Sequence, residues 1–283
     1  MIRRLFSSAK SSGEYAKVKL ISSSNVSKDT RLFTFTTPPS LPPSLPLTSC
    51  IRVRLQGDVE RAYTPTREDS ETFDLLVKRY PRGKATSHFF DLKNGDTVDV
   101  AGPFRKFEFD CKRHREIVMV AAGTGITPMA QLLRADVGHN FCASSSGSAS
   151  AKGAQSKGEE DVEAVDGARY TLIYANRTED DILLRDELQH LASLQPPRLS
   201  LHLSLDSAPP NWSGNEGTIT QEYLASLLPK PPAAGEVSPI VLVCGPPGFM
   251  DAVCGNKVSP QEQGPITGML GNLGWTNDSV YKF

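Results

Sequence analysis

The chain has 283 residues, enough for two domains that each bury a core of their own. Its hydrophobic content of 39% and aromatic content of 7% exclude global disorder. The net charge is −1, but residues 1–112 hold 19 Lys and Arg against 13 Asp and Glu, whereas the remainder holds 12 against 19. A basic first half favours a phosphate-bearing ligand and an acidic partner protein, with a chance surface distribution as the alternative.

The cysteines are odd in number and widely spaced, which argues against a disulfide framework and favours a reducing compartment. No pair has the spacing of metal ligands or of an iron–sulfur site, so we expect no metal. No apolar run reaches the roughly 18–20 residues of a membrane span, so we expect no transmembrane segment. The five cysteines are Cys50, Cys111, Cys142, Cys244 and Cys254.

The first residues form a basic extension, 1–16. Residues 1–13 contain Arg3, Arg4 and Lys10, several serines and no acid. This composition is typical of a mitochondrial presequence, so we expect a mitochondrial location. A frayed basic tail on a cytoplasmic protein is the alternative.

Residues 17–112 follow a period of two, which is typical of strands. Ile51, Val53 and Leu55 alternate with arginines, and similar runs follow between Pro- and Gly-rich breakers. Several short half-buried strands at this spacing predict a small antiparallel β-barrel, with one short helix over Thr86 to Leu92.

Residues 113–283 have a different pattern, and we place the domain boundary near 112–115. Continuous apolar runs are typical of parallel strands buried on both faces. They alternate with helical segments, which predicts an α/β domain with a doubly wound parallel sheet. The runs are 117–121, 170–174, 199–205 and 240–243, and the predicted helices are 129–134, 180–194 and 221–228. Residues 143–167 are rich in Ser, Gly and Ala and predict a flexible surface insertion.

Arg61, Ala62, Tyr63 and Thr64 form the first candidate ligand-binding motif. Arg61 and Tyr63 share one face of a predicted strand, and Thr64 points the other way. Arginine clamps phosphate groups, and tyrosine and threonine suit the face and the polar edge of a flat ring. An edge strand with an exposed arginine and a half-buried tyrosine is the alternative.

The segment Gly83 to Ser87 begins the short helix of the barrel. Its backbone amides, with Thr86 or Ser87 as the cap, predict an anion site. Lys78 in the preceding strand adds a positive charge. Solvated loop and strand residues are the alternative.

A glycine turn, Gly123-Thr124-Gly125, ends the first strand of the second domain. It lets the backbone approach a dinucleotide phosphate, although Pro128 occupies the last position of the usual Gly-x-Gly-x-x-Gly fingerprint. Thr127 is the predicted helix cap, and Pro128 is predicted at the first helical position.

Two further sites follow strand ends in the second domain. Asp206 is suited to ribose hydroxyls and would repel a 2′-phosphate, which favours NADH over NADPH, or it is an ordinary turn residue. Cys244-Gly245-Pro246 lies at the carboxyl edge where such sheets bind ligands, although Cys244 also suits a small buried position. The segment that begins at Cys244 suits a nicotinamide pocket, and the aromatic residue Phe283 is a further cofactor-binding candidate.

Taken in order, these motifs resemble the ferredoxin-NADP reductase superfamily and, within it, the NADH-cytochrome b5 reductase family. The resemblance covers nearly all of 17–283, and the tail is similar to the mitochondrial branch. The motifs that carry the resemblance include Gly-Lys-x-Thr at 83–86, Gly-Thr-Gly-Ile-Thr-Pro-Met at 123–129, Ile-Tyr-Ala-Asn-Arg-Thr-Glu-Asp-Asp-Ile-Leu-Leu at 173–184 and Cys-Gly-Pro-Pro-Gly-Phe-Met at 244–250.

The resemblance implies two sets of cofactor contacts. FAD is expected on Arg61, Ala62, Tyr63, Thr64, Val77, Lys78, Gly83, Lys84, Ala85 and Thr86, with Thr127 near its ring. NADH is expected on Gly123, Thr124, Gly125, Asp206, Cys244, Gly245, Pro246 and Met250, and Pro128 and Phe283 are further candidate cofactor-binding residues. We expect Thr64 and Cys244 beside the reacting rings.

The resulting interpretation is a two-domain flavoprotein, an antiparallel FAD barrel followed by an NADH domain. Hydride would pass from NADH to FAD, and single electrons would leave to cytochrome b5 or another acidic haem protein. Alternatives are another acceptor, such as an oxygenase component or a quinone, and a non-catalytic dinucleotide or flavin sensor. We expect a monomer that binds no nucleic acid.

Overall fold

The fold is taken from a computed structural model that describes residues 13–55, 59–80, 84–110, 112–139, 167–233, 235–236 and 238–283. Most of the predicted extension 1–16 lies outside the described residues. So does the predicted insertion 143–167, apart from its last residue.

The first domain is built on seven antiparallel strands in the order β4-β3-β7-β1-β2-β6-β5. Its core is aromatic, with Phe33, Phe35 and Phe73 in the strands and Phe89 in the helix that packs against them. The predicted antiparallel FAD-type barrel is therefore confirmed. The elements are β1 Ala16–Ser27, β2 Thr30–Thr36, β3 Ser49–Leu55, β4 Val59–Tyr63, β5 Arg67–Glu68, β6 Thr72–Lys78, α1 Lys84–Asp91 and β7 Thr97–Arg105.

The second domain is a six-stranded sheet in the order β11-β10-β9-β8-β12-β13, with every pair parallel. Apolar clusters cover both of its faces, which explains the continuous apolar strands. The predicted doubly wound sheet is confirmed. The elements are β8 Glu116–Ala122, α2 Ile126–Leu133, β9 Arg169–Asn176, α3 Arg185–Ser193, β10 Leu199–Leu205, β11 Asn215–Glu216, α4 Gln221–Leu227, β12 Ile240–Cys244, α5 Pro247–Cys254, α6 Gly268–Asn272 and β13 Val280–Lys282.

The strand order positions the site. The chain adds β9, β10 and β11 on one side of β8 and then β12 and β13 on the other, so the order reverses between β8 and β12. A crevice opens at the carboxyl ends of strands at such a point, and ligands bind there. The barrel packs against the same region, because Leu76 of β6 belongs to the core cluster of the second domain.

Three helix starts differ from the prediction. A short 3-10 turn over Gly123–Gly125 leads directly into α2, so Thr127 is inside the helix. Its hydroxyl donates to the Thr124 carbonyl at 3.1 Å and caps nothing. The helix predicted from 180 instead begins at Arg185, because Thr178 and Asp181 close a separate capped turn before it.

The cap predicted for the barrel helix is also wrong. α1 begins at Lys84, so Thr86 and Ser87 lie in its first turn. The Thr86 hydroxyl accepts a hydrogen bond from the Tyr80 amide at 3.2 Å, which joins the helix to the end of β6.

Candidate active site between the two domains

An inner cleft of about 420 Å³ lies between the barrel and the carboxyl edge of the parallel sheet. It brings together residues that are far apart in the chain, so the domain packing creates it. Of the predicted site residues, it is lined by Arg61, Ala62, Tyr63, Thr64, Val77, Lys78 and Thr86 from the barrel and by Thr124, Gly125, Thr127, Pro128, Cys244, Gly245, Pro246 and Phe283 from the second domain.

The barrel wall of the inner cleft is formed at the end of β4. Tyr63 is the last residue of that strand, and its ring meets Phe89 edge-on at 5.2 Å between centroids. Burial raises the pKa of the Tyr63 phenol, which is therefore neutral at physiological pH. Arg61 is exposed, donates to the Glu60 carbonyl at 2.7 Å and forms no ion pair with any residue in the described part of the chain. Its charge is available to an anionic ligand.

The opposite wall is the glycine turn after β8. A Cβ at Gly125 would overlap the backbone carbonyl of Cys244, and Gly123 has a φ of +52°. Both positions therefore require glycine. Tyr174 supports the turn, because its hydroxyl donates to the Gly123 carbonyl at 2.9 Å and accepts from the Leu183 amide at 3.3 Å. Sequence analysis did not single out Tyr174, although it lies in the matched segment 173–184.

Cys244 and Phe283 close the inner cleft from the ends of β12 and β13. Burial raises the pKa of the Cys244 thiol to about 12, so the thiol is protonated and neutral at physiological pH. The amide of Phe283 donates to the Val243 carbonyl at 2.9 Å. Its ring packs edge-on against Tyr281 at 5.1 Å.

An outer cleft of about 940 Å³ continues from the inner one along the sheet edge. Gly123, Asp206 and Pro246 line it, and Asp206 follows the end of β10 with its amide bonded to the Asn176 carbonyl at 3.0 Å. Its other lining side chains include the basic residues Lys28, Arg31, Arg79 and Arg177. This charge suits a ligand that carries phosphate groups.

Lys78 stands at the junction and lines both clefts. Its ammonium group contacts the Asp181 carboxylate of the second domain at 2.9 Å and that of Asp29 in the barrel at 3.1 Å. Burial alone would lower the pKa of Lys78, but the hydrogen bonds that its ammonium group donates to these two carboxylates outweigh this effect and raise the pKa. The charge that we assigned to a flavin phosphate is therefore shared with two carboxylates that join the domains.

Met250 is a predicted contact that is described by the structure and lines neither cleft. Met250 is 6% exposed and packs in the core on the far face of the sheet. Gly83 and the side chains of Lys84 and Ala85 lie outside the described residues. The structure also brings in residues that sequence analysis missed, namely Asp29, Asp181, Tyr174, Cys50 and Lys106.

Among the described residues, no group of His, Cys, Asp and Glu is arranged to hold a metal ion. In the same part of the chain, no helix combines the length and the apolar character needed to cross a membrane.

Two family models match the chain, one for each domain. The model described as the oxidoreductase FAD-binding domain matches residues 17–109, and that of the oxidoreductase NAD-binding domain matches residues 119–255. The fold and the clefts thus define a flavin-dependent, nicotinamide-using oxidoreductase.

Curated relatives identify the family within this class of oxidoreductases. NADH-cytochrome b5 reductase 2 of Yarrowia lipolytica is 36% identical over 281 residues, covering 97% of this chain and 87% of the relative. The protein of the same name from Botryotinia fuckeliana is 36% identical over 277 residues, covering 95% and 72%. The chain belongs to the NADH-cytochrome b5 reductase family.

Solved structures agree with this assignment. The cytochrome b5 reductase domain of Ulva prolifera nitrate reductase has a TM-score of 0.69 and 26% identity, covering 95% of this chain and 97% of that one. The CS-b5R domains of human Ncb5or, in the NAD⁺ form, have a TM-score of 0.68 and 25% identity, covering 95% and 69%.

The residues present fit FAD as the cofactor and NADH as the substrate. The inner cleft combines apolar walls with an arginine that has no carboxylate partner in the described structure, which suits a flat ring that carries a phosphate chain. Gly125 packs directly against the backbone of Cys244, which brings the ends of β8 and β12 together at the point of the sheet where a second dinucleotide binds.

Proposed function

We propose that the chain oxidises NADH through FAD and passes single electrons to cytochrome b5. The observation that carries this proposal is the inner cleft, where the FAD-type residues Arg61, Tyr63 and Thr64 face Thr127 and Cys244 of the NAD-binding domain. When bound, FAD would supply the capacity to take up a hydride and release single electrons, so no side chain need act as acid, base or nucleophile.

The chain's own residues position the reactants and exclude water. Arg61 would bind a phosphate oxygen of FAD, and Tyr63 would lie against the ring with Thr64 at its polar edge. On the other side, Gly123 and Gly125 would admit the dinucleotide backbone, and Cys244 would border the nicotinamide as a neutral thiol. Holding two rings at a fixed separation lowers the entropic part of the barrier.

The spectrum of the purified protein tests this proposal. We expect a yellow protein whose flavin absorbance is bleached by NADH within milliseconds and restored by oxidised cytochrome b5. A bound flavin that NADH leaves oxidised would support the alternative of a non-catalytic sensor. Rapid bleaching without reoxidation by cytochrome b5 would instead favour another acceptor, such as an oxygenase component or a quinone.

An acidic haem protein is the proposed class of partner. Residues 17–112 keep 16 Lys and Arg against 12 Asp and Glu, so the barrel half is basic even without the extension. Opposite charge on a partner raises the rate of encounter, and salt reduces it.

A mitochondrial location is part of the proposal. It rests on the composition of residues 1–13, where basic residues and serines occur without an acid. Import of the full chain into isolated mitochondria, compared with a variant in which Arg3 and Arg4 are replaced by Glu, tests it. Equal import of both proteins would contradict the proposal.

A further inference from the structure

The terminal strand β13 has to be held in place before Phe283 can close the inner cleft. It has three residues, lies at the edge of the sheet and, among the strands that the structure describes, pairs with β12 alone. Short terminal strands fray unless side chains secure them. Contacts other than the pairing with β12 are therefore needed to keep Phe283 at the cleft.

Side chains of a strand alternate between its faces. Tyr281 and Phe283 pack toward the cluster on the barrel side of the sheet, whereas Val280 belongs to the cluster on the far side. Lys282 thus points away from the cleft, and its side chain is 0% exposed. Full burial is unusual for a lysine that no carboxylate pairs with in the described structure.

Two backbone carbonyls satisfy the Lys282 ammonium group. It donates to the Pro265 carbonyl at 2.8 Å and to the Asn256 carbonyl at 3.3 Å. These residues lie near the two ends of the connection between α5 and α6. The lysine therefore fastens the last strand to that connection.

The side chain of Gln263, in the same connection, pairs with the backbone of Lys282. Its Nε2 donates to the Lys282 carbonyl at 3.1 Å, and its Oε1 accepts from the Lys282 amide at 2.8 Å. The inner edge of this strand is bonded to β12, because the Phe283 amide donates to the Val243 carbonyl. On the outer edge of β13, the side-chain amide of Gln263 thus makes the hydrogen bonds that a neighbouring strand would otherwise make.

We infer that Lys282 and Gln263 are positioning residues that hold Phe283 in the inner cleft. Lys282 lies on the face of β13 that points away from the cleft, and Gln263 lies at its outer edge. Neither residue contacts the reacting groups, so both act only through Phe283. The inference rests on the proposed function, with Phe283 as one of the cofactor-binding residues that line the inner cleft. A displacement of about 1 Å at a reacting centre can reduce a rate by up to about 10²-fold, so a loosened terminus should be measurable.

Lys282→Met and Gln263→Ala test the inference in the FAD-loaded full chain. Methionine keeps the length of the side chain but leaves both carbonyls without their donor. We expect both variants to release Phe283 faster to carboxypeptidase and to exchange the Phe283 amide hydrogen faster. We also expect kcat/KM for NADH to fall about tenfold, within the range above, with FAD content unchanged. Lys230→Met, at an exposed lysine of the same domain, is the matched control.

A double-mutant cycle separates positioning from general stability. Phe283→Ala should lower kcat/KM by itself, and adding Lys282→Met to it should lower kcat/KM no further. Additive effects, or a terminus as protected as in the control, would overturn the inference. If Phe283→Ala leaves the kinetics unchanged, the proposed role of Phe283 fails, while carboxypeptidase and exchange still decide the anchoring. If Lys282→Met does not fold, Gln263→Ala decides, because it alters only the outer edge.

Discussion

The ion pair between Lys78 and Asp181 is the contact that we expect to matter most for the domain interface. In the wild type, one oxygen of Asp181 accepts from Lys78 at 2.9 Å, and the other accepts from the Thr178 hydroxyl at 2.8 Å. The side chains of Lys78 and Asp181 are 9% and 2% exposed. Asp181→Asn keeps the shape of the side chain and removes its charge.

The loss in the free energy of unfolding depends on how the charge of Lys78 is compensated after the substitution. Removing one partner of a buried ion pair costs about 3–5 kcal/mol when the other charge is left alone. Here Asp29 stays 3.1 Å from Lys78 and compensates part of the charge. We therefore expect a loss of about 2 kcal/mol, within the roughly 1.5–3 kcal/mol of a hydrogen bond to a charged group.

Urea unfolding at a fixed excess of FAD measures this loss. The two tryptophans, Trp212 and Trp275, both lie in the second domain, so far-ultraviolet circular dichroism is recorded beside their fluorescence to follow the barrel as well. Asp99→Asn is the control, because it removes an ion pair with Lys17 that has a similar distance of 3.1 Å but side chains that are 73% and 33% exposed. Solvent screening reduces such a pair to about 0–1 kcal/mol.

The pH dependence gives a second check. Burial alone would raise the pKa of Asp181, but the hydrogen bonds from Lys78 and Thr178 outweigh it and lower the pKa below 3.8. The stability from this carboxylate is therefore present above pH 3.8 and is lost as pH falls through the folded pKa. The difference between wild type and Asp181→Asn should close in acid. A loss no larger than that of Asp99→Asn at pH 7 would refute the reasoning.

Four further predictions concern the ligands and the linker. Arg61→Ala should weaken FAD retention by roughly 10- to 100-fold, as the loss of a charge-assisted hydrogen bond of about 1.5–3 kcal/mol implies, and flavin absorbance per protein measures it. Asp206→Ser should raise kcat/KM for NADPH relative to NADH, because a carboxylate that repels a 2′-phosphate is removed. Raising salt should slow reduction of cytochrome b5 but spare a neutral quinone, since the screening length at ~0.15 M is about 8 Å. Burial lowers the pKa of His114, whose Nδ1 accepts from the Asp110 amide at 3.0 Å. The stability that this site contributes should therefore be present above pH 6.5 and should fall below it. In acid unfolding curves, His114→Gln should lose less stability than the wild type.

Each of these predictions has an outcome that contradicts it. Full flavin in Arg61→Ala would mean that another group binds the phosphate. An unchanged NADPH to NADH ratio would make Asp206 an ordinary turn residue. Equal salt responses of the two acceptors would make the charge asymmetry incidental. Parallel acid curves for wild type and His114→Gln would mean that the pKa of the imidazole is the same in the folded and unfolded states.

Local patterns in the sequence predicted the layers of both domains because the periodicity of burial is a local property. In β8, Met119 and Ala121 face one apolar cluster and Val118 and Val120 face the other, so each residue of the run is apolar. The same logic predicted the antiparallel strands from their alternation. Helix starts were less predictable. The separate turn closed by Thr178 and Asp181 and the 3-10 turn at Gly123 depend on hydrogen bonds that periodicity does not report.

The contacts of a polar side chain could not be predicted in this way, and Lys78 is the clearest case. A lysine near a predicted anion site suggests a phosphate ligand, yet the acceptor found at 2.9 Å lies 103 residues away in the other domain. Lys282 is similar, since a lysine in a terminal tail suggests solvent, whereas it is fully buried under a loop. In both cases the partner is brought close only by the packing of separate elements. A motif therefore identifies which residues can bind a ligand, and the tertiary structure decides which of them instead hold the ligand-binding residues in place.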